Sequence, residues 1–120
     1  MSGFRSLLVY QKAFCLAMNI FNISKNFPKD EIFSLTSQIR RSSRSVCSNI
    51  AEGYRKRLYE AYFVSKMFDA DMENSETQVW LEFSFECKYI TEKTYQEFIS
   101  QSKDIGRLLN CMIENPEKFN

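Results

Sequence analysis

The chain has 120 residues, and its 16 Lys and Arg residues nearly balance 15 Asp and Glu residues, giving a formal net charge of +1. This length suits one domain spanning residues 1–120. Hydrophobic residues make up 44% of the chain, whereas 3 Gly and 2 Pro are too few for a β-sandwich or a nucleotide-binding α/β domain. There is no His, the commonest general base and metal ligand. We therefore expect an all-α protein that is not an enzyme and holds no metal and no cofactor.

Four cysteines are spread over the chain: Cys15, Cys47, Cys87 and Cys111. No two of them form a CxxC pair, so the spacing does not indicate a zinc site, and we expect four reduced, mostly buried thiols. The apolar run after Arg5 is interrupted by Gln11 and Lys12 and lacks a small-residue cleavage site, unlike a signal peptide. No stretch approaches ~18 uninterrupted apolar residues. We therefore expect a cytoplasmic protein with no membrane partner.

The first predicted helix covers residues 7–27 and has a broad apolar surface. Its apolar residues form two rows in which steps of three and four alternate, as they do along one side of an α-helix. The rows are Leu7, Tyr10, Phe14, Ala17 and Phe21, and Ala13, Leu16, Ile20, Ile23 and Phe27. Pro28 cannot continue a helical backbone and ends the helix. We expect this helix to be buried on more than one side.

The second predicted helix covers residues 30–54, with Asp30 and Glu31 at its positive N-terminal end. Its apolar row is narrow and contains Ile32, Leu35, Ile39, Val46, Ile50 and Tyr54. Small residues such as Gly53 lie beside this row and allow another helix to approach closely. A second row is polar and contains Gln38, Arg41, Ser45, Asn49 and Glu52. We interpret the polar row as a buried network that holds the fold or a subunit interface.

Two further helices are predicted over residues 59–88 and 92–114. One stripe of the third helix contains Phe63, Met67, Ala70, Thr77, Leu81 and Ser84. Thr91 is a candidate N-cap of the fourth helix, and Pro116 ends that helix. Four helices with connections of a few residues predict an up-and-down four-helix bundle.

Charge is distributed unevenly along the chain. Residues 1–57 contain 10 Lys and Arg against 3 Asp and Glu, whereas residues 58–120 contain 6 against 12. Six basic residues fall in one segment: Arg40, Arg41, Arg44, Arg55, Lys56 and Arg57. Such side chains neutralise phosphates of RNA or DNA, or they pair with acids of the third helix such as Glu73 and Glu76. We assign Arg41, with those two acids, to the structural alternative. The other five form the candidate nucleic-acid surface.

One long stretch of the second helix carries a family signature. Residues 35–41, LTSQIRR, and residues 45–54, SVCSNIAEGY, resemble the signature of the bacterial four-helix bundle proteins, also called ribosomal-RNA intervening-sequence proteins. Further matches are the FPK motif at residues 27–29 and the ETQVWLEF motif at residues 76–83. The resemblance covers residues 4–113, which is nearly the whole chain.

The resemblance implies an antiparallel four-helix bundle that assembles into a homopentameric ring. Some members of the family are encoded within insertions in large-subunit ribosomal RNA genes. A similar group serves as the accessory protein of diversity-generating retroelements, which binds a reverse transcriptase and nucleic acid. The leading hypothesis is therefore a non-enzymatic, ring-forming accessory or scaffold protein with RNA or DNA, and a protein such as a reverse transcriptase, as candidate partners. The alternative is a protein–protein interaction scaffold that binds no nucleic acid.

Overall fold

Apolar positions at helical spacing give four α-helices, of which the first two are joined by residues 25–34 and the others by the shorter connections 56–59 and 87–91. The computed structural model describes residues 3–120. The helices are α1 (Leu8–Ser24), α2 (Leu35–Arg55), α3 (Glu60–Glu86) and α4 (Glu92–Glu114). Short 3₁₀ turns occupy Gly3–Ser6, Lys29–Glu31 and Pro116–Phe119, and residues 3–120 contain no strand. The predicted all-α four-helix bundle is confirmed.

The order of the helices around the bundle follows their order in the chain. Each helix packs against the next one, and α1 also packs against α4. α1 and α3 therefore lie at opposite corners, so that their outer faces point in opposite directions. The molecule is elongated and measures 44 × 25 × 25 Å. Among the helices within residues 3–120, none is both long and apolar enough to cross a membrane.

The connection between α1 and α2 differs from the prediction. α2 begins only at Leu35, because residues 29–31 form a separate 3₁₀ turn. The Glu31 carboxylate accepts hydrogen bonds from the hydroxyl of Ser34 at 2.6 Å and from that of Tyr89 at 2.9 Å. These bonds lower the pKa of Glu31, and the shared bond raises the pKa of Tyr89 to about 12. Glu31 therefore binds the α1–α2 connection to the α3–α4 turn and is not in the first turn of α2.

Two apolar residues of the same connection are exposed to solvent. Ile32, which the sequence places in the apolar row of the second helix, is half-exposed, and Phe33 is 92% exposed. The prediction for Ile32 was wrong because this residue precedes α2 and does not share its periodicity. Although α1 ends at Ser24, Phe27 still reaches the core, where its ring centroid lies 5.4 Å from that of Tyr89.

The turn between α3 and α4 contains a backbone conformation that glycine usually supplies. Lys88 has a φ of 64°, in the left-handed region. The Tyr89 N–H donates to the carbonyl of Ser84, five residues earlier, at 2.9 Å, which is the hydrogen bond that closes the larger ring of a Schellman motif. The predicted N-cap of α4 is confirmed, since Thr91 Oγ1 accepts a hydrogen bond from the Thr94 N–H at 3.1 Å. Hydrogen bonds therefore fix both sides of this turn.

The core is built from one stripe of each helix. The predicted stripe of α3 is confirmed, because all six of its members are buried: Phe63, Met67, Ala70, Thr77, Leu81 and Ser84. In α1, Ala13, Leu16 and Ile20 from one predicted row are buried as well. Phe14 from the other row is half-exposed. The broad apolar surface of α1 is therefore only partly covered by the bundle.

A layer of buried hydrogen bonds crosses the otherwise apolar core. The hydroxyls of Ser42 on α2 and Thr77 on α3 lie 2.9 Å apart. Asn74 on α3 donates to the Ser102 carbonyl at 2.9 Å and accepts from the Ser102 hydroxyl at 2.8 Å. Gln78 donates to the same hydroxyl at 2.9 Å. Each of these buried polar groups has a partner, so the layer avoids the cost of unpaired groups.

α2 and α3 approach closely at Gly53, as its small size predicted. A Cβ atom added at Gly53 would lie 2.6 Å from Met67 Cε and 2.8 Å from Lys66 Cβ. No larger residue fits there unless the neighbouring helix moves. By contrast, a Cβ atom added at Gly106 on α4 would lie 3.5 Å from Asn74 Nδ2, an ordinary contact.

The cysteines correct another prediction. All four are free thiols, but Cys15, Cys87 and Cys111 are exposed. Cys15 and Cys111 lie outside the core stripes of their helices and Cys87 follows the end of α3, so the expectation of mostly buried thiols was wrong. Only Cys47 is partly buried. Burial raises the pKa of the Cys47 thiol to about 11, which keeps it protonated near neutral pH.

Candidate nucleic-acid interface and outer helix faces

Arg41 is bound by acids of α3 within the same subunit. Its Nη1 lies 3.0 Å from Glu73 Oε2, its Nη2 contacts Glu76, and its Nε donates to Gln38 Oε1 at 3.2 Å. Trp80 Nε1 donates to the same Glu76 carboxylate at 3.0 Å. The hydrogen bond to Glu73 raises the pKa of Arg41 further. The Arg41 guanidinium is therefore engaged in joining α2 to α3.

The rest of the polar row of α2 does not join this contact. Asn49 donates to the carbonyl and the hydroxyl of Ser45 at 2.9 and 3.2 Å, one turn away on the same helix. Glu52 pairs with Lys66 of α3 at 3.6 Å. The side chain of Arg41 also remains 47% exposed. The prediction of one buried network was wrong, because the row follows the edge of the α2–α3 contact and makes separate local contacts there.

Two of the five candidate phosphate-binding residues are directed toward α1. Arg40 Nε donates to the Ser24 hydroxyl at 2.8 Å. The guanidinium carbons of Arg40 and Arg44 lie 4.9 and 5.6 Å from the centroid of the Phe21 ring, and Lys25 Nζ lies 4.8 Å from it. Lys25, Arg40 and Arg44 form what we call the Phe21 cluster. Lys25 was missed from the sequence because it follows the end of α1 and is distant along the chain from the two arginines.

The other three candidate residues lie at the end of α2 and in the α2–α3 turn. Arg55 is exposed, and Lys56 Nζ lies 4.9 Å from the centroid of the Tyr62 ring. Arg57 donates to the Tyr54 carbonyl at 3.0 Å. At a rise of 1.5 Å per residue, the helix separates Arg55 from the Phe21 cluster by roughly 16 Å. The single basic surface predicted from the sequence is therefore two separate sites.

An apolar groove lies between α1 and α2, beside the Phe21 cluster. It has a volume of about 390 Å³. Its walls include Phe14 and Met18 from the outer face of α1 and Cys47 and Ala51 from α2, and Arg44 lies at its edge. Phe14 and Met18 are 51% and 43% exposed. The bundle therefore leaves a partly open apolar surface on α1.

α3 has a second exposed apolar stripe on the opposite side of the bundle. Its members recur at helical spacing and are between 44% and 57% exposed: Phe68, Met72, Val79 and Phe83. Exposed acids flank the stripe: Asp69, Glu82 and Glu86. The outer face of α3 thus combines apolar and negative groups, whereas the side formed by α1 and α2 combines apolar and positive groups.

Comparison with known proteins identifies the family. The profile described as 23S rRNA-intervening sequence protein matches residues 5–111. The chain belongs to this family. This result confirms the resemblance that the α2 signature indicated. The signature residues extend along nearly the whole of α2 and supply both its core positions and Arg41.

A solved structure also supports the assignment of this chain to the intervening-sequence protein family. The chain is similar to a protein of unknown function from the S23 ribosomal protein family of Bacteroides thetaiotaomicron, with 30% sequence identity and a TM-score of 0.80. The similarity covers 89% of this chain and 96% of that one. No curated protein matches the chain. Neither the family description nor the description of the solved structure names a catalytic activity.

Proposed function

We propose that this protein is a non-enzymatic cytoplasmic scaffold that assembles with copies of itself through the outer faces of α1 and α3. The observation that carries the proposal is the pair of half-exposed apolar stripes on opposite sides of the bundle. Contiguous apolar side chains exposed to water mark surfaces that contact other molecules. Within residues 3–120, neither α2 nor α4 exposes a large apolar side chain in this way.

The placement of the stripes favours contact between unlike faces. If α3 of one subunit meets α1 of the next, each subunit retains one free face, so the contact repeats and closes into a ring when the rotation allows. The acids beside the α3 stripe also complement the basic α1–α2 side. The family resemblance implies a homopentamer, and a ring of five is the assembly that we propose.

Native mass spectrometry combined with light scattering tests the assembly. Met72→Glu places a charge in the α3 stripe, and we expect it to convert the ring into monomers that keep their helical circular dichroism. Phe33→Glu is the matched control, because it changes an even more exposed apolar residue away from both stripes and should leave the mass unchanged. A wild-type protein that is monomeric at all concentrations, or a ring that tolerates Met72→Glu, would refute the proposal.

A second candidate function is association with RNA or DNA, which the unpaired basic residues favour. Of the six basic residues in the segment from Arg40 to Arg57, only Arg41 forms an ion pair within residues 3–120. A ring would present several copies of each basic site, and multivalency can raise apparent affinity by ~10²-fold. The resemblance to retroelement accessory proteins adds a reverse transcriptase as a candidate protein partner.

Salt dependence separates this candidate from a scaffold that contacts only proteins. Nuclease-treated protein is titrated into a labelled structured RNA and a labelled duplex DNA at several salt concentrations. Phosphate contacts predict a linear fall of log affinity with log salt concentration. Absence of binding at low salt would remove the second candidate and leave the self-assembling scaffold in place.

A further inference from the structure

The Phe21 cluster places three positively charged side chains around one aromatic ring. Lys25, Arg40 and Arg44 all lie around one half-buried aromatic ring, at 4.8 to 5.6 Å from its centroid. Within residues 3–120, none of the three forms an ion pair. Because all three cations lie close to the same ring, their charges repel one another, and an anion beside them would reduce that repulsion.

The bundle holds Arg40 ready to receive such an anion. Its Nε donates to the hydroxyl of Ser24, a residue only 2% exposed, and that hydroxyl donates to the Phe21 carbonyl at 3.0 Å. The two terminal nitrogens of Arg40 have no acceptor among the described residues. A guanidinium fixed at Nε presents these nitrogens as a fork that matches two oxygens of one anion. Fixing the fork before binding lowers the entropy cost of binding.

The basic residues of the α2–α3 turn lack this preparation. The Arg57 guanidinium already donates to the Tyr54 carbonyl. Arg55 and Lys56 make no side-chain hydrogen bond within residues 3–120, as is also true of Lys25 and Arg44, so the turn has no counterpart of the Arg40 guanidinium that is fixed at Nε. This difference favours the Phe21 cluster, rather than the α2–α3 turn, as the anion site.

We infer that the Phe21 cluster binds a phosphate group, with the Arg40 fork on two phosphate oxygens and with Arg44 and Lys25 on the others. Three cations suit a phosphate better than a single carboxylate, which carries one negative charge. Two sources supply this chemistry: the backbone of a nucleic acid and a free polyphosphate anion. For a nucleic-acid backbone, the inference rests on the second candidate function above; for a free anion, it stands without it.

The test compares two double variants that remove equal charge. Lys25→Gln with Arg44→Gln changes the Phe21 cluster, and Arg55→Gln with Lys56→Gln changes the turn. None of these four side chains makes a hydrogen bond within residues 3–120, so neither variant removes a bond that holds the fold. Binding of tripolyphosphate is measured by calorimetry, and binding of a single-stranded RNA is measured by anisotropy across salt concentrations.

The cluster variant should weaken tripolyphosphate binding by about tenfold for each cation removed. It should also reduce the salt slope for RNA by about 1.4, because each phosphate contact on a single strand contributes about 0.7. The turn variant should change neither quantity. Arg40→Lys keeps the charge and removes the fork, so it should weaken binding of tripolyphosphate while leaving the salt slope for RNA unchanged.

The outcomes separate the inference from the proposed functions. Tripolyphosphate binding without RNA binding supports the phosphate site and removes the nucleic-acid function. RNA binding that depends on the turn and not on the cluster overturns the inference and leaves the nucleic-acid function standing. Failure to bind either probe overturns both. A cluster variant that loses its assembled mass but binds tripolyphosphate as the wild type does also overturns the inference, because the cluster would then meet acids of a neighbouring subunit.

Discussion

Gly53→Ala tests the close approach of α2 and α3. The added Cβ would lie 2.8 Å from Lys66 Cβ, an atom fixed to the backbone of α3, as well as 2.6 Å from the flexible end of Met67. Relieving such overpacking costs about 1–3 kcal/mol. The higher helix propensity of alanine offsets at most about 1 kcal/mol of this cost, and less near the end of α2. We therefore expect the free energy of unfolding to fall by about 1–2 kcal/mol.

Gly106→Ala is the matched control for this substitution. It is the same change within a helix, but the new Cβ would meet its nearest neighbour at 3.5 Å. We expect it to raise the free energy of unfolding by up to about 1 kcal/mol. Urea denaturation followed by circular dichroism measures both variants at one protein concentration, since assembly would make stability depend on concentration. A Gly53→Ala protein as stable as the wild type would refute the reasoning.

Four further predictions concern single side chains. Lys88→Gly should raise the free energy of unfolding by about 0.5–1 kcal/mol, because glycine adopts the left-handed conformation without strain; a loss in urea denaturation would contradict the Schellman assignment. Arg41→Ala should lower it by about 1 kcal/mol, as a half-exposed link between α2 and α3 is lost, and an unchanged value would return Arg41 to the candidate nucleic-acid surface. At neutral pH, Cys47 should react with iodoacetamide far more slowly than the exposed cysteines, because burial raises its pKa to about 11. Peptide mass spectrometry measures the rate at each cysteine, and equal rates would contradict the prediction. The hydrogen bond to Glu31 raises the pKa of Tyr89 from 10.0 to about 12, so the stability that this bond provides should be complete below pH 10 and be lost as the pH rises to 12. In denaturation measured across this pH range, Tyr89→Phe should lose less stability than the wild type, and equal losses would count against the bond.

Helical periodicity predicted which faces are apolar but not what covers them. The α3 stripe that contains Phe63 and Leu81 is buried as expected, because the bundle has one interior and this stripe faces it. In α1, Ile20 and Phe14 satisfy the same spacing rule, yet Ile20 is fully buried and Phe14 is half-exposed. A second apolar row has the same pattern whether it meets the core or another molecule. Only the positions of the neighbouring helices distinguish the two cases.

Contacts between residues that are far apart in the sequence account for most of the differences between the predicted and the observed candidate site. Charge distribution correctly suggested that Arg41 would meet the acids of α3, since helices adjacent in the chain are neighbours in an up-and-down bundle. The Phe21 cluster joins Lys25, at the C-terminal end of α1, to two arginines of α2, and no sequence motif describes that combination. Likewise, the sequence placed Glu31 at a helix N-terminus, but Tyr89 of the α3–α4 turn donates a hydrogen bond to it.

The hydrogen-bonded layer in the core divides the interior into two kinds of position. An apolar neighbour such as Ile105 can be exchanged for a side chain of similar volume at little cost. Asn74 and Ser102 each satisfy the other's buried polar atoms, so a change at one leaves the other unpaired. Apolar interior positions therefore tolerate exchange for residues of similar volume, whereas the hydrogen-bonded positions, Asn74 with Ser102 and Ser42 with Thr77, must change in coordinated pairs.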